Sequence, residues 1–335
     1  MNQKKQLKIN VLFGGDSAER DVSVASGAQV VKALRQRSHT VNAIDTMVGL
    51  LNTEQERQLF DRSVASSPPV TKKGLASVLS WLNNPTILEA DLWFIALHGG
   101  SGEDGRWQGL LAMTGIPFTG SSVLGSALAM DKDMTKRILR QAGLPTPNWL
   151  MAPAKIEDIE QQLGWPVVIK PSKQGSTVGL SIVRQADELD AAQALAFQHD
   201  DEVMIEQFIP GRELTCPVLH DKALPVGEII LKRGEIFDYE AKYQPGGAEE
   251  VFPALLDDLT TQHVQALSLQ IHQALKLTGY SRSDFRLDNQ GRLWCLEVNT
   301  LPGLTAMSLL PQSAQVAGIT FPELIEQICF SALRG

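Results

Sequence analysis

The sequence predicts an α/β protein whose N-terminal domain is built on a parallel sheet, and three observations carry that expectation. Lys8–Phe13 is a short apolar strand ending at Gly14-Gly15. Ser23–Arg35 then follows a helical period, with Val24, Ala28, Val31 and Leu34 on one stripe, before Thr40–Ile44 reads as a second strand. Leu92–Leu97, LWFIAL, is an unbroken apolar run of the kind that fills the buried centre of a parallel sheet. Strand, helix, strand in this order is the unit from which such sheets grow. With 335 residues, 43% of them hydrophobic, the chain has ample material for a core, and its length favours two or three domains over one.

The remaining elements follow in order. Residues 53–74 are less regular, with Ser63–Pro69 as a surface loop, and a break near Gly115–Ser122 ends the first domain. A helix is expected over Asp131–Ala142, and the prolines of GLPTPNW then mark an extended link. From Trp165 the texture changes to short strands, VVIK, GLSIV, VMIEQFI, LTCPVL and EIILKRGEIFDYEAKY. Asp258–Leu277 is an amphipathic helix with Val264, Leu267, Ile271 and Leu275 on its apolar stripe; a Ser281–Asn299 hairpin and a helix around Pro322–Leu333 close the chain.

Charge and composition remove several classes. The net charge of −8, with no basic block, argues against a nucleic-acid partner, which needs a positive field. Any anionic ligand must instead meet a few placed Lys and Arg residues. Cys216, Cys295 and Cys329 are scattered without metal or disulfide spacing. The N-terminal MNQKKQL leads straight into a strand, and no apolar run approaches a membrane span, so the expectation is a soluble, cytoplasmic protein without a membrane partner.

Two local features suggest chemistry. Ser281–Leu287 and Arg292–Asn299 flank DNQG, a good turn sequence. Pairing Asp288 with Gly291 sets Asp284 opposite Cys295 and Arg282 opposite Glu297. Alternation then projects Arg282, Asp284, Glu297 and Asn299 from one face, and Phe285, Leu287, Trp294, Leu296 and Val298 from the other, the core side. Hard oxygen ligands on one rigid face suit Mg²⁺; a solvated face with an Arg282–Glu297 pair is the competing reading. The second feature is Val167–Lys170, a strand ending in lysine that runs into PSKQGSTVGL, where glycine lets backbone N–H groups approach an anion. The loop lacks the G-K-[ST] of a P-loop, and by itself such a loop is most often only a turn.

Together VVIKPSKQGSTVGL, MIEQFIPGREL, SRSDF and LEVNTLPG resemble the ATP-grasp superfamily. More narrowly, GGDSAERDVS, ALHGGSGEDG, MDKDMTK, FDYEAKY and LPGLTAMSL resemble the D-alanine–D-alanine ligases, in the family's order from about residue 11 to residue 320. The resemblance implies a three-domain ATP-grasp architecture: an N-terminal α/β domain over residues 1–121 on the first-substrate side, a central subdomain over 122–206 with the phosphate loop, and a C-terminal domain over 207–335. It implies that Lys132 and Lys170 meet the nucleotide phosphates, that Glu206, Phe208 and Ile209 face adenine, that Glu213 faces ribose, and that Lys242 approaches the γ-phosphate. Asp284, Glu297 and Asn299 match the ligands of two Mg²⁺ ions, for which Mn²⁺ is an alternative. Arg282 and the Gly303 N–H match oxyanion donors, Glu19 the holder of the first D-alanine's ammonium, His98 a group beside that substrate, and Ser308 with Leu309 the site of the second carboxylate. Tyr243 is implied as a lid residue linked through Ser176 to Glu19. The implied reaction is the ATP-dependent joining of two D-alanines through an acyl phosphate, for peptidoglycan and hence cell-wall synthesis, by a homodimer.

The pattern departs from the family in places. Met307 stands where a His often precedes the Ser-Leu pair, SRSDF replaces the commoner G-R-x-D, and residues 47–87 fit no familiar segment. A relative joining a different amino acid or a hydroxy acid would keep almost every motif, although Tyr243 in the lid favours the D-alanine type over D-lactate users. A non-catalytic ATP-binding regulator is a third reading, opposed by the complete set Glu19, Arg282, Asp284, Glu297 and Asn299.

Overall fold

The computed structural model describes residues 6–61, 74–175, 177–232 and 247–334. Three sheets organise them. In the first, Lys8–Phe13 lies between Thr40–Asp45 and Leu92–Ile95, parallel to both, and Gly49–Leu50 adds a short antiparallel edge. The LWFI strand is the last full strand rather than the centre. It is nevertheless wholly buried, because Trp93 bridges in parallel to Phe118 beyond it and Ile325, Ile328 and Cys329 of the Phe321–Ala332 helix join the same core. That C-terminal helix is pinned to the first helix, Arg20–Gln36, and its neighbour: Arg37 Nη2 meets the buried Glu326 carboxylate at 2.5 Å.

Residues 53–74 were expected to be irregular, yet Thr53–Phe60 is a helix. Asn52 and Gln55 form a reciprocal capping box at its start, a short polar signal that apolar periodicity does not register. The expected loop at Ser63–Pro69 lies outside the described residues.

The second sheet is antiparallel, in the order Trp149–Met151, Val203–Gln207, Val167–Pro171, Ser181–Val183. The third runs Ala248–Val251, Gly227–Leu231, Gly211–Leu219, Tyr280–Asp288, Leu293–Asn299, with Lys222–Ala223 paired to Gly211–Leu219. The helix Asp258–Ala274 buries Val264, Leu267 and Ile271 in the core beneath this sheet, as its stripe predicts. Among the described residues, no helix is long and apolar enough to cross a membrane, and all three cysteines are buried free thiols.

The hairpin register differs from the expected one in two steps. At the turn, Gly291 takes φ 77° and the Asp288 N–H donates to the Arg292 carbonyl, so Asp288 faces Arg292 instead of Gly291. Then the ladder slips between Asp284 and Phe285: Phe285 faces Cys295, Asp284 faces Glu297, and Leu296 is the extra residue. Two single slips restore the parity, so Arg282 lies opposite Asn299 and the four polar residues keep their common face. Between the slips the parity is reversed. Leu293 and Cys295 therefore enter the core with Phe285, Leu287 and Val298, while Trp294 and Leu296, expected there, do not. The Trp294 indole instead donates to Asp288 at 3.0 Å with the Arg292 guanidinium over its ring, and Leu296 lines a cleft.

Candidate active site

One cleft lies between the second and third sheets. On its floor Glu206, on the strand Val203–Gln207, receives two ammonium groups: Lys170 Nζ at 2.7 Å and Lys136 Nζ at 2.6 Å. Lys136 is fully buried and also donates to Thr146 Oγ1 at 2.7 Å and the Pro147 carbonyl at 3.1 Å. Burial pushes the Lys136 pKa down to about 8, against the pull of Glu206, so it remains charged at neutral pH. Burial alone would raise the Glu206 pKa; the fields of Lys136 and Lys170 outweigh it and hold the carboxyl below its usual range. Sequence reasoning missed Lys136, although it stands in MDKDMTK one turn after Lys132 on the helix Lys132–Gln141, whose N-cap Asp131 accepts from the Met134 N–H at 3.0 Å.

Lys132 Nζ donates to the Gln174 carbonyl at 2.6 Å, within the glycine loop, and lies 3.4 Å from Glu297. Phe208 and Ile209 line the same cleft just after the Val203–Gln207 strand, and Glu213 lines it while pairing with Arg286 Nη2 at 3.3 Å. The structure thus brings Lys132, Lys170, Glu206, Phe208, Ile209 and Glu213 to one cavity. Ser176, Lys242 and Tyr243 lie outside the described residues.

The hairpin face closes the cleft. Arg282 pairs not with Glu297 across the ladder but with Asp284 on its own strand, Nε to Oδ1 at 2.9 Å and Nη2 to Oδ2 at 2.7 Å. Asp284 also accepts from Thr215 Oγ1 at 2.7 Å and from the Asn299 amide N–H at 3.1 Å. Burial would lower the Arg282 pKa, but the Asp284 charge and hydrogen bonds raise it well above its ordinary value. Asp284, Glu297 and Asn299 therefore offer two carboxylates and an amide oxygen from alternate rungs of one face, a donor set that fits a hard cation also held by phosphates. Among the described residues, no three His, Cys, Asp or Glu side chains cluster as a metal site without such help.

A second cleft begins where the first ends, sharing Arg282, Glu297 and Leu309 with it. Glu19, at the N-cap of the first helix, lines it against Gly99, whose positive φ of 66° and missing Cβ leave room for the carboxylate. His98 Nδ1 lies 3.0 Å from the Leu301 carbonyl, which can only accept, so Nδ1 carries the proton and Nε2 accepts from Ser26 Oγ at 2.8 Å. Burial lowers the His98 pKa, with the nearby Glu19 charge opposing, which keeps the ring neutral near pH 7. Glu103, in the GGSGEDG loop, is a further lining residue that the sequence reading passed over; burial, reinforced by Glu19, pushes its pKa up to about 8. Gly303 sits so close to Ser308 that a Cβ would meet its Oγ at 2.7 Å. Ser308 in turn bonds Thr305 Oγ1 at 2.8 Å and leads the helix Leu309–Val316. Met307 is exposed.

Comparison with known proteins gives this geometry its context. A family model described as the D-ala D-ala ligase N-terminus matches residues 8–121, and one described as the D-ala D-ala ligase C-terminus matches residues 138–329. The chain belongs to the D-alanine–D-alanine ligase family. Among its relatives is the D-alanine–D-alanine ligase of Geobacter sulfurreducens, 42% identical over 99% of this chain and 96% of that protein. That of Marinomonas is 39% identical over 98% and 96%. Of the solved structures, the Bacillus anthracis D-alanine–D-alanine ligase complexed with ATP matches with a TM-score of 0.78 at 33% identity, covering 99% of this chain and 98% of that one. The VanG D-Ala:D-Ser ligase of Enterococcus faecalis matches with a TM-score of 0.81 at 30% identity, covering 98% and 100%. The expected fold class is therefore borne out as an ATP-grasp architecture, and the ligase family uses ATP.

Proposed function

We propose that this chain joins two D-alanine molecules to D-alanyl-D-alanine with conversion of ATP to ADP and phosphate, supplying cell-wall precursor synthesis. The observation that carries the reading is the junction of the two clefts. Arg282 and Glu297 line both, with nucleotide-type lysines on one side and Glu19 on the other. Lys132 and Lys170 hold the triphosphate in the first cleft, while Glu206, Phe208, Ile209 and Glu213 surround the nucleoside. Asp284, Glu297 and Asn299 would hold Mg²⁺, which would supply charge neutralisation at the phosphates. Glu19 anchors the ammonium of the first D-alanine beside His98, so that its carboxylate faces the γ-phosphate and becomes an acyl phosphate. The amine of the second D-alanine, with its carboxylate at Ser308 and Leu309, attacks that carbonyl. Arg282 and the Gly303 N–H stabilise the oxyanion, and phosphate departs. The lid role of Tyr243, its link through Ser176 to Glu19, and the approach of Lys242 to the γ-phosphate stand on the sequence resemblance.

The same family membership supports a division at residues 121 and 206, a homodimer, two metal ions, and action in the cytoplasm without nucleic-acid or membrane partners. Incubation of the protein with ATP, Mg²⁺ and D-alanine is expected to release phosphate and the dipeptide together; phosphate release only with another acceptor would overturn the substrate assignment. A second reading, a D-alanine ligase with a different acceptor, is favoured by Met307 and by the likeness to a D-Ala:D-Ser ligase. A panel of D-alanine, D-serine and D-lactate as acceptors separates the two.

A further inference from the structure

The first helix carries more of the site than Glu19. Glu19, Val22, Ser26 and Gln29 follow one another at spacings of three, four and three residues, the period of a single helix face. Glu19 and Val22 line the second cleft. Ser26 does not, yet it is fully buried, at 0% exposure, and makes two hydrogen bonds with residues far along the chain. Its Oγ donates to His98 Nε2 at 2.8 Å and accepts from the Leu304 N–H at 3.4 Å. His98 Nδ1 in turn donates to the Leu301 carbonyl at 3.0 Å. The loop from Leu301 to Leu304 is thus gripped at both ends, and Gly303 lies between the grips. Three residues further along the helix, Gln29 Oε1 accepts from the Ala306 N–H at 2.6 Å, fixing the next turn of the loop just before Ser308. Leu301 and Leu304 belong to the apolar core of the first sheet, so the loop is anchored to the body that carries Glu19 although it follows the hairpin in sequence.

We infer that Ser26 and Gln29 are positioning residues for amide-bond formation. They fix the Gly303 N–H and Ser308 in one frame with Glu19, so that the first D-alanine, the oxyanion donor and the second D-alanine's carboxylate are set by a single helix. An oxyanion donor is effective only when held where charge will develop, and a few tenths of an ångström of slack weakens it. Neither residue lines the nucleotide cleft, so ATP binding is spared.

The inference rests on the proposed ligase reaction, and its test separates the two. In steady-state assays Ser26→Ala is expected to raise KM for the second D-alanine and lower kcat, each by roughly five- to tenfold, with KM for ATP within twofold of the unaltered enzyme. Gln29→Ala is expected to do the same more weakly, and Gln29→Glu, which keeps an acceptor for the Ala306 N–H, to restore unaltered kinetics. Were Ser26→Ala to unfold, the Gln29 pair decides the matter. An unchanged KM for the second D-alanine in the folded variants, a parallel rise in KM for ATP, or failure of Gln29→Glu to restore activity would overturn the inference. Absence of dipeptide from the unaltered protein would instead refute the proposed reaction.

Discussion

The two clefts meet at Arg282 and Glu297, yet they are held together by opposite means. The wall proposed to meet the nucleotide is built from charge: Glu206 between Lys136 and Lys170, with Lys132 reaching Glu297. The wall around the loop proposed to meet the oxyanion is built from neutral groups: the His98 imidazole, the Ser26 hydroxyl, the Gln29 amide and backbone N–H groups. The difference follows from what each must meet. A triphosphate arrives fully charged, so permanent countercharge is needed, and an acidic protein must concentrate it locally. An oxyanion exists only during reaction, and neutral donors fixed in advance stabilise it without over-binding the resting substrate. Breaking either wall should therefore leave different kinetic signatures.

The largest effect should come from the residue common to both. Glu297→Gln removes a charge proposed to ligate the metal and the partner of Lys132 while preserving shape, and kcat should fall by roughly a thousandfold or more. Because this carboxylate is half-exposed, the melting temperature should hardly change. Steady-state assays across a Mg²⁺ titration check this; turnover near the unaltered level would remove Glu297 from the metal site.

Lys136→Met comes next. It leaves Glu206 buried with one partner in place of two, and breaking a buried pair in this way costs about 3 kcal/mol of stability. Denaturant unfolding should show that loss, and KM for ATP should rise while KM for the second D-alanine stays unchanged. A rise in both would mean that the two walls are not separable as drawn.

How far these walls were legible in sequence depends on the kind of signal that each uses. Strands with strong apolar runs and helices with clear stripes were placed from periodicity alone, as with Lys8–Phe13 and Asp258–Ala274. The common face of Arg282, Asp284, Glu297 and Asn299 was readable from alternation, but the partners were not. One slip at Gly291 and another at Leu296 obey local turn and bulge geometry that alternation does not encode, and they moved Trp294 and Leu296 out of the core. Lys136 was hidden for a different reason. A lysine on an amphipathic helix reads as solvated, and only the fold brings Glu206 within 2.6 Å of it. Ser26 and Gln29 carry no local signal either, since their partners at Leu304 and Ala306 lie more than 270 residues away in sequence.

The neutral wall makes a prediction in pH. Burial holds the His98 pKa below its ordinary 6.5, with Glu19 and Arg282 the charged groups that face it. Below pH 6.5 the unfolded chain takes up a proton that the native ring refuses, so this contribution to stability is present above that pH and is lost as the pH falls through the native value. Protonation would also place a donor at Nε2, which now accepts from Ser26, and so loosen the oxyanion loop. Dipeptide synthesis at saturating ATP should therefore decline on the acid side by no more than about tenfold per pH unit. The His98→Gln variant, slower throughout, should lack that limb. A variant with the same acid limb would assign it to other groups.

The smallest effect tests whether the charged wall is as rigid as its distances suggest. Thr215 is fully buried on the strand Gly211–Leu219 and donates to Asp284 Oδ1, which also accepts from Arg282 Nε. Thr215→Val keeps the volume and removes one donor of several, at a cost of about 1 kcal/mol. Because Asp284 retains the two Arg282 bonds and the Asn299 amide, its position should hold, and the Mg²⁺ concentration for half-maximal activity should shift by less than about tenfold. The second-D-alanine KM should not move at all. A much larger rise in the Mg²⁺ concentration needed would mean that the hydroxyl, rather than the guanidinium, orients the carboxylate, and that even the charged wall depends on a neutral donor for its geometry.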